Sequence, residues 1–232
     1  ASDVYKRQKF YIQETTEYMR QSLKVWAELG FSFDVVSTGM ILSAEQAALV
    51  SDFCEQSAKK GALVFVDPIM GDEGKLYNGV GEETIAHMRK MVAVADCIVP
   101  NYTEAAYLAD MPYHEDMTEE EARALTIRLH EMGAKSVVVT SAKVDGENCV
   151  VGYDGTEGEF FRIPFDLIPV RFVGTGDIFA AVMLGRLVDG VPLQESTHRA
   201  MDAVRTMIDR NRDKEDKYLG IPIETCLEVL DE

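Results

Sequence analysis

The segment VGTGDIFAAVMLGRL, at residues 173–187, has residue types that could perform chemistry. Gly174 and Gly176 flank Thr175, and an apolar stretch with helical periodicity follows at once. Glycines at a helix start let backbone N–H groups approach an anion, and the helix dipole favours negative charge there. The carboxylate of Asp177 could take the proton of an attacking hydroxyl while these N–H groups hold a phosphoryl group. The alternative is that Asp177 only stabilises the helix start.

Two better-known phosphate-binding motifs do not occur in the sequence. The P-loop pattern GxxxxGK[ST] is absent. The GTGDIF stretch lacks the third glycine of the dinucleotide fingerprint GxGxxG, and it lies late in the chain rather than after a first strand. The sequence therefore indicates neither a P-loop enzyme nor a dinucleotide-binding protein.

A second group of polar residues follows three apolar runs of β-strand type. The polar segments are DPIMGDEGKLY (67–77) after Leu63–Val66, PNYTE (100–104) after Cys97–Val99, and Thr140 with Ser141 after Val137–Val139. Ligands of doubly wound sheets gather at the carboxyl ends of the strands. Oxygen ligands of this kind suit Mg²⁺, which keeps several waters and bridges to phosphate. The alternative is that these residues are helix caps and turn formers.

An alternation of short and long apolar patterns must position these residues. The short runs predict strands at Phe33–Ile41, Ala62–Val66, Asp96–Val99, Ser136–Thr140, Asn148–Tyr153 and Glu159–Ile163. Helical periodicity predicts helices at Gln13–Leu29, Ser43–Lys60, Glu82–Val94, Thr118–Met132, Asp177–Val188, Leu193–Arg212 and Ile223–Leu230. Ser43 and Thr118 begin capping-box patterns, and Gly61 and Gly133 stand where the same two helices should end.

The order of these elements predicts an α/β fold. Strand–helix–strand units of this length form right-handed crossovers, so we expect a mostly parallel sheet covered by helices on both faces. The turn segment DGTEG (154–158) joins two strand runs directly and predicts an antiparallel hairpin at the edge of the sheet. The pattern shows no internal repeat and no linker, which favours a single domain.

The composition argues against several other kinds of protein. The 232 residues include 40 acidic and 23 basic side chains, so the formal net charge is −17, and such a surface repels nucleic acid. No apolar run is long enough to span a membrane. The cysteines show no zinc-ligand spacing and indicate reduced core residues of a cytoplasmic protein: Cys54, Cys97, Cys149 and Cys226. The histidines are expected on helix or loop surfaces without a role: His87, His114, His130 and His198.

Four motifs occur in a fixed order along the chain: DPIMGDEGKLY, VPNYTEAAYL, VVVTSA and VGTGDIFAAVMLGRL. Together they resemble the pyridoxal (pyridoxamine) kinases of the ribokinase-like superfamily, from about Phe10 to the C-terminus. GTGD is typical of the superfamily, and DPxMGDxGxxY with PNxTEA is similar to its vitamin B6 branch. The resemblance implies a ribokinase-like three-layer α/β/α fold. It also implies a cytoplasmic homodimer that uses ATP and Mg²⁺ to phosphorylate the 5′-hydroxyl of pyridoxal, pyridoxine or pyridoxamine.

The same resemblance implies roles for individual residues. Asp177 is the implied catalytic base, and Gly174, Thr175 and Gly176 are the implied anion hole. The residues implied to bind ATP are Asp72, Tyr77, Asn101, Glu104, Thr140, Ser141, Val170 and Phe172, the last two at the adenine. The residues implied to organise Mg²⁺ are Asp67, Asp72 and Glu104.

The sequence departs from the family pattern at two places. Met40, in STGMI, stands where the family has a tyrosine that packs on the pyridine ring. The strand and substrate-binding loop with which family members begin are not found, so we expect an N-terminally truncated member whose first strands are missing. We expect residues 1–8, which contain DVYKRQ, to be a non-native leader, and residues 9–232 to form a single, N-terminally incomplete kinase domain. Such a chain should keep the nucleotide half of the site and bind B6 vitamers weakly.

Other functions stay open at this point. The sister hydroxymethylpyrimidine kinases share several of the motifs but have Cys where Asp177 stands, which favours the B6 branch. A sugar kinase of the same superfamily is a further alternative. A non-catalytic nucleotide-binding module, in which the acidic residues serve only structure, is the alternative from another class.

Overall fold

A six-stranded sheet organises the first of two compact units in the computed structural model, which describes residues 13–230. The units comprise residues 13–164 and 165–230. The strands are β1 Val35–Thr38, β2 Leu63–Val66, β3 Gly71–Asp72, β4 Lys75–Leu76, β5 Cys97–Ile98, β6 Ser136–Val144, β7 Glu147–Asp154 and β8 Glu159–Pro164. The sheet has the order β1-β2-β5-β6-β7-β8, parallel from β1 to β6 and antiparallel from β6 to β8, while β3 and β4 form a separate hairpin. The predicted α/β fold with an antiparallel edge hairpin is confirmed.

The helices of the first unit are α1 Thr16–Glu28, α2 Ala44–Ala58, α3 Glu83–Val92, α4 Tyr102–Ala109 and α5 Glu119–Glu131. Of these, α2 and α5 begin and end beside the residues that the sequence marks. The hydroxyl of Ser43 caps α2 by accepting from the N–H of Gln46, and Thr118 begins α5 with a complete capping box. Gly61 and Gly133 have φ values of +97° and +124°, which end the continuation of α2 and α5.

The core of the first unit lies on the parallel strands. Val64, Phe65 and Val66 of β2 are fully buried, as are Ile98 of β5 and the run 137–139 of β6. Parallel strands covered on both faces need apolar side chains at every position rather than at alternate ones. The four cysteines are free and buried, as the sequence predicted, and burial raises the pKa of the Cys54 thiol to about 11.

Strand β6 continues beyond its predicted end at Thr140 to Val144, so that prediction was too short. The ladder with β7 passes from the pair Val139–Val151 to the pair Ala142–Cys149, so two residues of β6 oppose one residue of β7. This is a β-bulge, and a strand that bulges can resume its pairing with the same neighbour. The apolar pattern breaks at residues 140–141, which is why the sequence indicated an end there.

Three further expectations from the sequence were wrong in detail. Helix α4 and the β3–β4 hairpin were not predicted, because both are short and lie in segments interpreted as ligand loops. The predicted helix Ile223–Leu230 is instead two short 3₁₀ helices, Ile223–Thr225 and Leu227–Leu230. His87 is buried on α3 rather than exposed, because it lies on the face of that helix that also buries Met88 and Met91.

The second unit is helical. It contains α6 Thr175–Val188, α7 Leu193–Asn211 and three 3₁₀ helices at Lys217–Leu219, Ile223–Thr225 and Leu227–Leu230. Its apolar cluster includes Phe172, Ile178 and Met207. The guanidinium of Arg186 on α6 donates a hydrogen bond of 2.7 Å to the carbonyl of Leu230 and so ties the last 3₁₀ helix to α6.

Two expectations concern residues outside these elements. The predicted leader at residues 1–8 lies outside the described residues. Within residues 13–230, no helix is both long enough and apolar enough to cross a lipid bilayer.

Candidate active site

One candidate site lies where the parallel strands of the first unit end. The N–H of Asp67 donates to the carbonyl of Thr38 at 3.1 Å, and the N–H of Val99 donates to the carbonyl of Val66 at 3.0 Å. One step further, the N–H of Thr140 donates to the carbonyl of Pro100 at 3.0 Å. The backbone hydrogen bonds between neighbouring strands therefore continue past the strand ends. They place Asp67, Pro100 and Thr140 side by side at the carboxyl ends of the parallel strands, as predicted for the polar segments.

Asn101 and Glu104 begin α4 with a complete capping box. The Asn101 side-chain oxygen accepts from the N–H of Glu104 at 3.0 Å, and the Glu104 carboxylate accepts from the N–H of Asn101 at 2.9 Å. The side-chain NH₂ of Asn101 also donates to the carbonyl of Gly71 at 2.8 Å. The cap interpretation that the sequence left open is thus correct for these two residues. Their predicted contact with ATP stays a prediction.

Glu104 also holds the loop that follows β2. Its Oε1 accepts from the N–H of Met70 at 3.0 Å and from the N–H of Gly71 at 3.4 Å. The side chain is buried, and this burial together with the negative charge of Asp67 raises the pKa of Glu104 to about 8. The three backbone N–H donors act in the opposite direction, but they do not offset the desolvation. Glu104 is therefore mostly protonated at neutral pH, beside the half-buried Asp67.

The predicted ATP-binding residues Asp72 and Tyr77 are placed by the β3–β4 hairpin. Asp72 ends β3, and its Oδ1 accepts from the N–H of Glu73 at 2.9 Å. The N–H of Tyr77 donates to the carbonyl of Met70 at 2.9 Å and so closes the base of the hairpin. The hairpin approaches itself so tightly that a Cβ atom on Gly71 would lie 2.6 Å from the carbonyl oxygen of Lys75. Only glycine fits at position 71.

Thr140 and Ser141 form the bulge of β6. Ser141 is exposed and has a φ value of +56°, which lies in the left-handed region that non-glycine residues rarely adopt. Backbone strain of this kind costs on the order of 1–3 kcal/mol and is found most often at functional sites. The bulge directs the Ser141 side chain to solvent at the edge where the polar segments meet, which supports the predicted contact with phosphate.

The acidic residues fit a magnesium ion only in a restricted way. Within the described part of the chain, no three His, Cys, Asp or Glu side chains lie close enough together to hold a metal ion. Asp67, Asp72 and Glu104 therefore do not form a ready-made cluster of three ligands. Mg²⁺ commonly takes only one or two carboxylates and completes its shell with waters and phosphate oxygens. The pair Asp67 and Glu104 fits that mode, because burial and the charge of Asp67 together raise the pKa of Glu104, and a cation would relieve the repulsion between the two carboxylates.

The start of α6, in the second unit, is a separate candidate feature. Gly174 is the N-cap residue with a φ value of +82°, and its carbonyl accepts the first helical hydrogen bond, from the N–H of Ile178 at 3.0 Å. The N–H groups at the start of a helix have no partner within the helix, so those of Thr175, Gly176 and Asp177 can serve an anion. Gly176 and Asp177 are exposed. The anion hole and the catalytic carboxylate stay predictions.

Val170 and Phe172, which the resemblance places at the adenine, belong to the apolar cluster of the second unit. Phe172 is only 3% exposed, and the partly buried Val170 packs against the same cluster. Both residues have a structural role in this unit, so their contact with adenine stays a prediction.

Sequence reasoning missed the residues that hold the hairpin. The hydroxyl of Thr103 accepts from the N–H of Gly74 at 2.9 Å, and the hydroxyl of Tyr107 donates to the carbonyl of Gly74 at 3.4 Å. The signal was present in the pattern Asn101-x-x-Glu104, which predicts a helix start and therefore places residues 103 and 107 on one helix face.

Comparison with known proteins shows the family. A family model described as phosphomethylpyrimidine kinase matches residues 8–220. The pyridoxal kinase of Arabidopsis thaliana is 32% identical over 171 residues, which cover 70% of this chain and 53% of that protein. The chain spans about half the length of the curated relatives it matches.

Solved structures agree with the sequence comparison. A proposed phosphomethylpyrimidine kinase from Bacteroides thetaiotaomicron VPI-5482, in an orthorhombic crystal form with pyridoxal, is 31% identical with a TM-score of 0.92. The match covers 98% of this chain and 81% of that one. The pyridoxal kinase from Lactobacillus plantarum is 26% identical with a TM-score of 0.83, over 97% of this chain and 80% of that one.

The fold and the strand-end and helix-start motifs define a protein of the ribokinase-like superfamily, and the resemblance to its pyridoxal kinases is confirmed. Within that superfamily, the chain belongs to the phosphomethylpyrimidine kinase family.

Proposed function

We propose that residues 9–232 act as a single kinase domain that transfers the γ-phosphoryl group of ATP to the 5′-hydroxyl of pyridoxal, pyridoxine or pyridoxamine. The observation that carries the proposal is the start of α6. There, Asp177 stands exposed in the first helical turn behind Gly174, whose positive φ opens the turn. The relative from Bacteroides thetaiotaomicron crystallised with pyridoxal, and the curated relative from Arabidopsis thaliana is a pyridoxal kinase. Both facts support a B6 vitamer as the acceptor.

The proposed roles follow from the local chemistry. Asp177 accepts the proton of the acceptor hydroxyl, which makes the oxygen a better nucleophile. The N–H groups of residues 175–177 hold the charge that develops on the transferred phosphoryl group. The exposed Ser141 and the hairpin residue Tyr77 contact the ATP phosphates, and Asp72 would act on them through Mg²⁺, because a carboxylate and a phosphate repel each other. Asp67 and Glu104 would hold Mg²⁺ through one or two carboxylates, and the ion would neutralise phosphate charge there.

Substitution of Asp177 tests the catalytic role. In Asp177→Asn, kcat should fall by a factor of about 10²–10⁴ because the proton acceptor is lost, while the affinity for ATP should stay the same. Asp189→Asn, at the other end of the same helix, is the matched control and should keep the activity of the unaltered chain. The measurement is ADP release coupled to pyridoxal 5′-phosphate formation, with ATP affinity from calorimetry. Unchanged turnover in Asp177→Asn would contradict the proposal.

A hydroxymethylpyrimidine acceptor is the second candidate, because the matched family model is described as phosphomethylpyrimidine kinase. A panel with pyridoxal, pyridoxine, pyridoxamine, hydroxymethylpyrimidine and ribose at equal concentration separates the two. A higher kcat/KM for hydroxymethylpyrimidine than for every B6 vitamer would move the assignment to that substrate. ATP binding without turnover of any acceptor would favour the non-catalytic nucleotide-binding module.

The resemblance supports two further attributes of the proposal. A homodimer is expected, and sedimentation velocity measures it directly. A cytoplasmic location is expected from the buried free thiols, which do not require an oxidising compartment.

A further inference from the structure

The turn of the β3–β4 hairpin, residues 72–75, is held by side chains that come from α4 and the segment after it. Thr103 and Tyr107 lie one helical turn apart and bind the two backbone groups of the same residue, the N–H and the carbonyl of Gly74. The ring of Tyr113 closes the third side, because its Cδ1 and Cε1 atoms lie 3.2 Å from where a Cβ on Gly74 would be. Tyr113 in turn stacks on Tyr102 with ring centroids 4.8 Å apart.

The hairpin has little stability of its own. Each of its strands has two residues, and isolated two-stranded hairpins are marginal in water. Glu73 and Gly74 have φ values of +54° and +76°, as a type I′ turn requires. Glutamate is not one of the residues that this turn prefers at its first central position, which are asparagine, aspartate and glycine. The turn therefore needs external contacts to keep this conformation. Thr103, which is 3% exposed, supplies one of them from a rigid helix.

We propose that Thr103 is a positioning residue for nucleotide binding: its hydroxyl, by accepting from the Gly74 N–H, holds the turn that places Asp72. This inference rests on the proposed function, because that function assigns Asp72 to the ATP phosphates. Thr103 itself touches no substrate in this account. Loss of the hydroxyl should release the turn and weaken ATP binding, while the phosphoryl-transfer step at Asp177 keeps its rate.

The test compares Thr103→Val, which replaces the hydroxyl with a methyl group, with Thr103→Ser, which keeps the hydroxyl. Thr126→Val on α5 is the matched control, because the Thr126 hydroxyl is equally buried but bonds only within its own helix, to the carbonyl of Arg123. A hydrogen bond of this kind is worth about 1 kcal/mol, so KM for ATP should rise about fivefold in Thr103→Val with kcat within about twofold. Thr103→Ser and Thr126→Val should both keep the original KM.

Amide hydrogen exchange gives a readout that needs no activity. The Gly74 amide should exchange about fivefold faster in Thr103→Val and at the original rate in the other two variants. An unchanged exchange rate with unchanged KM, or a fall in kcat alone, would overturn the inference. If Thr103→Val does not fold, Tyr107→Phe takes its place, and faster exchange with a raised KM is again expected. Failure of the proposed function looks different: the unaltered chain would not phosphorylate any vitamer, whatever the exchange rates show.

Discussion

The buried carboxyl group of Glu104 stabilises the local structure at the expense of its own ionisation. Its two oxygens accept from the N–H groups of Met70, Gly71 and Asn101, and thereby join two strand ends. The sequence could identify this residue as a candidate, because a carboxylate in PNYTE follows a strand, where both ligand-binding residues and helix caps occur. It could not show that the carboxylate also accepts from the loop after β2, because Met70 and Gly71 lie more than thirty positions away.

The raised pKa of Glu104 makes the stability of the chain depend on pH. Between its usual value near 4.5 and the folded value of about 8, the folded state holds a proton that the unfolded state has released. Stability should therefore fall as the pH rises through this window, by up to about 1.4 kcal/mol per pH unit. Glu104→Gln should remove this contribution to the slope of the free energy of unfolding against pH. Chemical denaturation in EDTA at several pH values measures it.

The matched control for this pH dependence is Glu55→Gln, an exposed carboxylate on α2. It should keep the slope of the unaltered chain. Equal slopes in the unaltered chain and in Glu104→Gln would mean that Glu104 is ionised throughout and that its N–H donors outweigh the cost of burial.

At the scale of elements, periodicity predicted the long helices and the parallel strands, because each buries a continuous apolar face. It failed where an element depends on contacts with other parts of the chain. Helix α4 has eight residues and the β3–β4 hairpin has strands of two, so neither produces a full period. Residues 137 and 139 of β6 belong to the main core cluster before the bulge, and residues 142 and 144 belong to it after the bulge. No single-period pattern can follow that shift.

Arg89 on α3 ends the short helix α4, and its removal should destabilise the first unit. Its Nε donates to the carbonyl of Leu108 at 2.9 Å and its Nη2 to the carbonyl of Tyr107 at 3.0 Å, so it bonds two carbonyls of the last turn of α4. Arg89→Met should lower the free energy of unfolding by about 1.5–3 kcal/mol. Urea denaturation measures the change.

The control for Arg89 lies on the same helix. Lys90→Met removes an exposed positive charge at the neighbouring position and should change stability by less than about 0.5 kcal/mol. Comparable losses in the two variants would assign the effect to charge on α3 rather than to the end of α4.

The whole molecule carries a formal net charge of −17. Self-repulsion of that size opposes the folded state, and dissolved salt screens it, with a Debye length of about 8 Å at physiological ionic strength. Thermal unfolding should therefore shift to higher temperature as NaCl rises from about 0.01 M to 0.15 M. A gain of about 1 kcal/mol in the free energy of unfolding corresponds to a rise of about 2–4 °C in Tm for a chain of this size. A falling midpoint would show that attractive ion pairs dominate instead.

Labelling of the four buried thiols would report local unfolding of the molecule. Cys54, Cys97 and Cys149 lie in the first unit and Cys226 in the second. A small alkylating reagent reaches each sulfur only when the surrounding residues part, so the site of labelling identifies which unit has opened. Peptide mapping after a brief pulse would thus time the two units separately, without an added fluorophore or an engineered tag.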